Sequence, residues 1–252
     1  MGSALPILSP VKERTQPKAA PDGQIGNSPN PLIAFYAALS DHLGPMNWWP
    51  ARTPFEVIVG AILTQNTAWS NVERAIEKLR SNRLLTPGAI ERVPPAQLAR
   101  LIRPSGYFRQ KAKKLKAFVR FLNGEFGGSL KRMFAVPTNE LRSKLLTVHG
   151  IGPETADSIL LYAGNHRIFV VDAYTRRILA RHGLSDDRSS YDEIREMFER
   201  ELPHEAELYN EYHALIVNTG KNWCRNKNPI CSECPLEPFL PQNSELRTEV
   251  SS

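Results

Sequence analysis

The chain has 252 residues, 41% of them hydrophobic, and a formal net charge of +6. It is long enough for one large domain or two small ones with a real core. No apolar run approaches about 18 residues, which excludes a membrane span, and the apolar patch at residues 4–8 is too short and interrupted for a secretory signal. The basic excess favours an anionic partner, most often nucleic acid.

Helical patterns fill most of the chain between two polar tails. Residues 1–29 are rich in Pro, Ser, Gly, Lys and Gln, and we expect a disordered tail there and a frayed one at residues 241–252. Between the tails, apolar residues recur at helical spacing behind proline or polar caps. The predicted helices are PLIAFYAALSDHL, TPFEVIVGAIL, AWSNVERAIEKLR, QKAKKLKAFVRFLNGEFGG, PTNELRSKLLTV, PETADSILLYAG, DAYTRRILARHG, YDEIREMFEREL and EAELYNEYHALIVNTGKNW. No useful strand pattern and no internal repeat occurs, so we predict an all-α fold.

A tight turn, Gly150-Ile151-Gly152, separates two of the predicted helices. Glycine lets the chain approach a phosphate closely, and the N-terminus of the following helix adds a positive dipole. The turn therefore predicts a sequence-independent grip on a DNA backbone. An ordinary tight connection between two helices would have the same residues.

Asp172 follows the apolar run RIFVV and opens the next predicted helix. An isolated aspartate there would be read as an N-cap. Together with the upstream glycine turn it suggests more. Cleavage of an N-glycosidic bond passes through an oxocarbenium-like transition state, which a nearby carboxylate stabilises while it orients the attacking water.

The stretches GIGPETADSIL and VVDAYTRRI resemble the helix–hairpin–helix DNA glycosylase superfamily, which includes endonuclease III and the adenine-mismatch glycosylase. The resemblance covers roughly residues 30–236. It implies that Gly150, Ile151 and Gly152 form the DNA-binding hairpin and that Asp172 is the catalytic aspartate. We expect a helical-barrel domain at 54–164, a second helical domain built from 30–53 and 165–240, and the active site in the cleft between them.

Glu154 stands at a decisive position of this family. Bifunctional members have a lysine there, in the pattern G-x-G-x-K-[ST]-A, and its amine forms a Schiff base that leads to strand cleavage. A carboxylate cannot do so, and Lys144 precedes the hairpin. The resemblance therefore implies hydrolysis by water oriented by Asp172, with weak or absent lyase activity. Glu154 itself could simply be an acid that favours the first turn of its helix.

Two aromatic stretches resemble the 3-methyladenine DNA glycosylase III group of the superfamily. They are NWWPARTPFE, with Trp48, Trp49 and Pro50, and GAILTQNTAW, with Trp69. In that group the tandem tryptophans and an aromatic residue at the position of Trp69, which can be phenylalanine, line the base pocket, and the lysine is also replaced by glutamate. Indoles attract a positively charged alkylpurine by about 0.5–2 kcal/mol. Without the resemblance, core or interface positions would be favoured for Trp48 and Trp49.

Gln65 and Asn66 lie at the turn between two predicted helices. In the family a polar side chain here enters the duplex and fills the gap left by the flipped base. Either residue could do so, and we favour Asn66. A helix cap is the competing role.

All three cysteines, Cys224, Cys231 and Cys234, lie within eleven residues in the pattern C-x6-C-x2-C. This clustering is unlike a secreted disulfide framework and points to a reducing compartment. The iron–sulfur members of the family have a fourth cysteine where this chain has Leu240. Three thiolates could hold a cluster with one open iron or a three-iron form, or the loop could be metal-free. Lys221, Arg225 and Lys227 would contact phosphate in either case.

We predict a monomeric, cytoplasmic, nucleoid-associated prokaryotic enzyme that excises alkylated purines such as 3-methyladenine from double-stranded DNA without a strong lyase step. The alternative is an endonuclease III-like glycosylase/lyase acting on oxidised pyrimidines. An alternative of another class is a damaged-DNA-binding protein without catalysis, against which the presence of Asp172 argues.

Overall fold

The computed structural model describes residues 30–46, 51–186 and 188–241. Within these ranges the chain forms twelve α-helices and no strand, which confirms the all-α prediction. No described helix is both long and apolar enough to cross a membrane. The helices are α1 (Pro31–Leu43), α2 (Pro54–Thr64), α3 (Trp69–Ser81), α4 (Pro87–Arg92), α5 (Pro95–Leu101), α6 (Phe108–Phe126), α7 (Leu130–Phe134), α8 (Thr138–Leu146), α9 (Pro153–Ser158), α10 (Ala173–Arg181), α11 (Tyr191–Glu201) and α12 (Ala206–Asn222).

Helices α2 to α9 form a first group, and α1 with α10, α11 and α12 forms a second one. Helix α2 is the central element of the first group. Thr53 caps it by accepting a hydrogen bond from the amide of Glu56 at 3.2 Å, and Pro54 occupies its first position. Every residue from Phe55 to Leu63 is buried. The helix packs against α3, α6, α9 and the turn that follows α9. An apolar run without a polar face is therefore explained by burial on all sides.

A buried lysine fixes the C-terminal end of α2. Nζ of Lys111 donates to the carbonyl of Leu63 at 2.8 Å and to the carbonyl of Ser105 at 2.6 Å. Burial lowers the pKa of this amine to about 8, with a further contribution from the charge of Lys114. The carbonyls at the end of a helix carry partial negative charge, which favours the ammonium there. The loop before α6 is thereby tied to the end of α2.

The N-terminal helix α1 packs against α11 and α12, and α10 also packs against α12. Phe169 and Phe198 stack with ring centroids 3.9 Å apart in the core of this second group. The chain thus returns its first helix to its last ones, and we propose that the two groups are the two subdomains. Five residues in a π-helical turn, Ile159–Ala163, follow α9 and contact both α2 and α12.

Candidate active site

A cavity of about 290 Å³ lies where the two groups of helices meet. The end of α2, the start of α3, α9, the π-helical turn, the start of α10 and the end of α12 form its walls. Its polar and aromatic lining includes Trp69, Glu154, Tyr162, Asp172, His213 and Lys221. Sites built at such junctions between helical units are typical places for a ligand.

The two carboxylate oxygens of Asp172 have different surroundings. It is the N-cap of α10, and Oδ1 accepts from the amide of Thr175 at 2.8 Å and from its hydroxyl at 3.0 Å. Oδ2 lies 3.6 Å from Nε2 of His213. The cap fixes the side chain, and the second oxygen remains available at the cavity wall. The N-cap and site interpretations of Asp172 are therefore compatible.

His213 and Tyr162 stand behind Asp172. The Tyr162 hydroxyl forms a hydrogen bond with Nδ1 of His213, and Nε2 is buried without a hydrogen-bond partner. Burial lowers the pKa of His213, although the charge of Asp172 acts in the opposite direction. A neutral imidazole with its proton on Nε2 directs a donor toward Asp172 and accepts from Tyr162. This tautomer satisfies both neighbours.

Glu154 faces the same cavity as Asp172 from the first turn of α9. The residue is exposed to solvent by surface area, but its side chain lines the concave wall of the cavity, where neighbouring atoms crowd the carboxyl group. Desolvation there, with the negative charge of Asp172, raises the pKa of Glu154 to about 7, and Arg176 acts in the opposite direction. Glu154 is thus more than an acid at a helix start, because it shares the cavity with a second carboxylate.

The glycine turn joins α8 to α9 as the sequence predicts. Gly150 has φ +83, and a Cβ atom there would lie 2.4 Å from Cγ of Lys114, so only glycine fits without a shift. Ile151 is buried, and its amide donates to the carbonyl of Val148 at 3.0 Å. A Cβ atom at Gly152 would meet no heavy atom within 4 Å. The backbone at Gly152 is therefore open to solvent, and DNA contacts by Gly150, Ile151 and Gly152 stay predictions.

Gln65 and Asn66 have different surroundings. Nε2 of Gln65 donates to the carbonyl of Gly150 at 3.0 Å and to the hydroxyl of Thr155 at 2.9 Å, and Oε1 accepts from Lys114. Gln65 therefore joins the end of α2 to the hairpin. Asn66 is exposed and has φ +52 in the left-handed region. Of the two residues, Asn66 is therefore the one that is exposed to solvent.

Tyr107 is an exposed aromatic residue that the sequence analysis missed. Its side chain is 68% exposed, and its φ is +43. It follows Ser105, whose carbonyl Lys111 holds beside the end of α2. A large exposed ring on a fixed loop suits stacking on a base. The sequence does contain one sign of this loop, because Gly106, a residue typical of turns, directly precedes Tyr107.

Trp69 begins α3 and lines the cavity, as expected for a base pocket, and its indole Nε1 donates to Glu73 at 2.8 Å. The other predicted pocket residues, Trp48, Trp49 and Pro50, lie outside the described residues. Lys221, from the last turn of α12, also lines the cavity. The sequence analysis had assigned it only to phosphate.

The three cysteines line one small cavity together with His182 and Leu240. Arg181 donates to Sγ of Cys224 at 3.1 Å, and burial raises the pKa of Cys234 to about 11. Leu240 is buried at the position of the family's fourth cysteine. Nowhere in the described ranges do three or more His, Cys, Asp or Glu side chains form a group that could hold a metal ion. These residues do not fit a cluster that needs four thiolates.

Two arginines hold this cysteine loop on α10. Nε of Arg177 donates to the carbonyl of Cys224 at 2.7 Å, and Nη1 of Arg181 donates to the carbonyl of Arg225 at 2.7 Å. Both guanidinium groups thus replace backbone partners that the irregular loop lacks. Arg177 and Arg181 have a structural role here.

The arrangement has counterparts among known proteins. The model of the HhH-GPD superfamily of base excision DNA repair proteins matches residues 59–204. MJ1434 of Methanocaldococcus jannaschii, named as a candidate DNA repair glycosylase, is 48% identical over 209 residues, 82% of this chain and 94% of that protein. Endonuclease III of Thermotoga maritima is 31% identical over 184 residues, 73% of this chain and 81% of that protein.

Solved structures agree. The 3-methyladenine DNA glycosylase MagIII of H. pylori, bound to 1,N6-ethenoadenine, is 30% identical with a TM-score of 0.68, covering 75% of this chain and 97% of that one. A non-covalent endonuclease III–DNA complex, 22% identical with a TM-score of 0.74, has the same fold over 87% of this chain and 98% of that one. The chain therefore belongs to the HhH-GPD superfamily of base excision DNA repair proteins and is an endonuclease III-like DNA glycosylase of that family.

Proposed function

We propose that the protein is a monofunctional glycosylase that hydrolyses the N-glycosidic bond of alkylated purines such as 3-methyladenine in double-stranded DNA. One observation carries the proposal. The cavity presents Asp172 together with Glu154, which occupies the position where bifunctional relatives have their Schiff-base lysine. We also propose that the enzyme acts as a monomer on nucleoid DNA in the prokaryotic cytoplasm.

The chemistry follows from the placement of Asp172. A base cannot be attacked at its sugar inside the stacked duplex, so the nucleotide must rotate into the cavity. The free Oδ2 of Asp172 then stabilises the positive charge that develops at C1′ as the base leaves. Water adds to C1′, and its proton passes to the same carboxylate. His213 faces the same carboxylate from behind, with Nε2 3.6 Å from Oδ2.

The substrate class is supported by the lining of the cavity. At about 290 Å³ the cavity is close to the lower limit of ligand pockets, about 300 Å³, which suits a single base. The indole of Trp69 offers an electron-rich face to a purine that carries delocalised positive charge. The H. pylori relative bears the name of a 3-methyladenine glycosylase and was solved with 1,N6-ethenoadenine.

Lys221 favours a second candidate function. Its side chain lines the same cavity from the end of α12. An amine near C1′ could form a Schiff base and open the sugar, as the lysine of bifunctional relatives does. The protein would then be an endonuclease III-like glycosylase/lyase for oxidised pyrimidines, with Lys221 in place of the lysine absent at position 154.

Base release from two DNA substrates separates these functions. One duplex carries 3-methyladenine and the other thymine glycol, and each is scored with and without hot alkali. For the proposed function we expect release of 3-methyladenine, with strand breaks only after alkali. Cleavage at thymine glycol without alkali, lost in Lys221→Met, would establish the second candidate instead.

Asp172→Asn serves as the catalytic control because asparagine preserves the N-cap of α10. We expect base release to fall at least a hundredfold, on the order of the loss of one charge-stabilising group, while the melting temperature changes little. DNA binding without base release in the wild type would instead indicate a damage-binding protein.

A further inference from the structure

We propose that Glu154 is a general acid that protonates a ring nitrogen of the base in the cavity, and that the enzyme therefore also excises neutral purine lesions such as hypoxanthine. The inference rests on the proposed glycosylase function of the same cavity and extends its substrate class. A pocket for cationic alkylpurines needs no proton donor, because such a base carries its positive charge while it is bonded to the sugar and leaves as a neutral molecule.

The first argument is the placement of two carboxylic acids around one base-sized cavity. Asp172 is fixed at the N-terminus of α10 by its two hydrogen bonds from Thr175, and Glu154 projects from the first turn of α9. Cleavage of a glycosidic bond needs different catalytic assistance at its two atoms. The sugar carbon needs a carboxylate, and the leaving nitrogen needs a proton. Two acids lining one cavity can serve both.

The second argument is the difference between the two environments. Oδ1 of Asp172 accepts hydrogen bonds from the amide and the hydroxyl of Thr175. Glu154 is partly desolvated beside that negative charge, which raises its pKa to about 7. Pairs of acids whose surroundings separate their protonation states are typical of acid–base sites. A pKa near the working pH is also the value that suits a general acid.

The other charged and titratable groups around Glu154 belong to three further elements. Those that line the cavity or act on the charge of Glu154 are Asp172 and Arg176 of α10, His213 and Lys221 of α12, and Tyr162 of the π-helical turn. Of these, Asp172 favours the protonated form of Glu154, and Arg176 opposes it. Desolvation is the largest influence on the pKa of Glu154, so the pKa stays raised despite the opposing charge of Arg176.

The carboxyl proton of Glu154 moves to a ring nitrogen of the purine, and the C1′–N bond breaks with its electron pair going to the base, which leaves as the neutral molecule. Asp172 stabilises the oxocarbenium ion. The oxygen of water bonds to C1′, and its proton passes to Asp172. Solvent then takes this proton from Asp172 and returns a proton to Glu154. For a cationic 3-methyladenine the same bond breaks without the first transfer.

The test compares Glu154→Gln with wild type on three DNA probes, which carry 3-methyladenine, hypoxanthine and 1,N6-ethenoadenine, under single-turnover conditions. We expect the release of hypoxanthine and ethenoadenine to fall about a hundredfold or more, as loss of a general acid does. Release of 3-methyladenine should fall less than tenfold. Glu140→Gln is the matched control, because it removes the same charge from an exposed first-turn acid of α8, outside the cavity.

The pH profile supplies a readout that a structural role would not change. In the wild type, release of hypoxanthine should decline as pH rises through about 7, where Glu154 loses its proton. Release of 3-methyladenine should lack this decline. Glu154→Asp should keep the decline on hypoxanthine at a shifted pH, and Glu154→Gln should lose it. Melting temperatures and affinity for undamaged duplex identify a variant that merely misfolds.

The possible outcomes separate the general-acid role of Glu154 from the proposed glycosylase function. Equal losses on all three probes in Glu154→Gln, or greater loss on 3-methyladenine, would overturn the inference and leave the proposed function standing. Wild-type release of 3-methyladenine alone would also overturn it. Release of hypoxanthine but not 3-methyladenine, with the expected dependence on Glu154, would support the general acid and refute the alkylpurine proposal. Release of no base from any probe would refute both.

Discussion

Nε2 of His213 lies 3.6 Å from Oδ2 of Asp172, while Oδ1 of Asp172 is already bonded to Thr175. This separation exceeds a normal hydrogen bond, and Nε2 has no other hydrogen-bond partner. Burial lowers the pKa of His213, so the imidazole faces the carboxylate as a neutral donor. We expect His213 to close this gap when DNA binds and to orient Oδ2 toward the sugar.

Removal of this donor should slow base release without weakening DNA binding. His213→Phe keeps a ring of similar size beside Phe169 but deletes Nε2. We expect the single-turnover rate to fall about tenfold to a hundredfold, at or below the usual range for groups that assist acid–base steps. The measurement is single-turnover release of 3-methyladenine together with the Kd for duplex DNA.

Tyr162→Phe is the matched control for His213. It removes the hydroxyl that bonds Nδ1 but leaves Nε2 opposite Asp172, so its effect should be the smaller of the two. An unchanged rate in His213→Phe would show that His213 serves packing alone. A larger effect of Tyr162→Phe would instead assign the main contribution to the Tyr162 hydroxyl.

Lysine at position 154 should turn the enzyme toward lyase chemistry. Glu154 lines the cavity with Asp172, so an amine placed there would lie within the site where the sugar is bound. We expect Glu154→Lys to give a covalent protein–DNA complex on reduction with borohydride, through an imine at C1′. The measurement is the trapped fraction on a gel, with Lys144→Met, outside the cavity, as the control background. An equally trapped wild type would mean that another amine already reacts.

The Asn66 side chain should fill the gap that the flipped base leaves in the duplex. It is the exposed residue of the turn after α2, whereas Gln65 is held by Gly150 and Thr155. We expect Asn66→Ala to slow release from duplex DNA about tenfold and to leave single-stranded DNA nearly unaffected, since no gap forms there. The readout is the ratio of the two rates.

Gln65→Ala is the comparison for Asn66. It should instead lower the free energy of unfolding by about 1 kcal/mol through lost hydrogen bonds to the hairpin. If Gln65→Ala gave the duplex-specific loss and Asn66→Ala did not, the two roles would be reversed.

The long helices were predictable because apolar residues recur at helical spacing along most of their length. Helices α6, α11 and α12 agree with the patterns in the sequence, as does the hairpin at Gly150. The short helices α4, α5 and α7 were missed, since five to seven residues carry too little periodicity to detect.

The cavity was predictable only in part. Asp172 and Trp69 were found from motifs, but His213 reaches Asp172 across 41 residues of chain, and only the fold brings them together. A weak signal existed, because His213 interrupts the apolar run of α12 at a position that the helix buries. Glu154 was read as an acid at a helix start, since the low polarity of its surroundings is a property of the assembled cavity.

A fourth thiol should complete the cysteine site. Leu240 lies in the wall of the cavity that Cys224, Cys231 and Cys234 share. We expect Leu240→Cys, after anaerobic reconstitution with iron and sulfide, to retain more of both than wild type and to resist a chelator longer, because a cubane takes four thiolates. Iron and sulfide assays and visible absorption give the readout. Equally high retention by both proteins would show that three thiolates suffice, and retention by neither would show that a cysteine at position 240 does not complete a site.

Removal of Arg142 should be costly, although its side chain reaches the surface. Its Nε donates to Oδ1 of Asp157 at 2.7 Å and Nη2 to Oδ1 of Asp192 at 2.7 Å, which joins α8, α9 and α11. Asp157 has no exposed surface. Arg142→Met leaves this carboxylate buried without its cation, and we expect a loss of about 3–5 kcal/mol in the free energy of unfolding. Arg200→Met, which breaks the exposed pair with Glu201, should cost at most about 1 kcal/mol.

The pH dependence of Arg142→Met distinguishes a lost ion pair from lost packing. Burial raises the pKa of Asp157 even in the wild type, although Arg142 opposes this, so loss of Arg142 should raise the pKa further. A carboxyl whose pKa is raised on folding contributes stability at low pH and loses it as pH rises through the folded-state pKa. The deficit of Arg142→Met in urea unfolding should therefore shrink as pH falls and Asp157 takes up a proton. A deficit that stayed constant with pH would assign the loss to the aliphatic stem of Arg142 and to its contact with Tyr191.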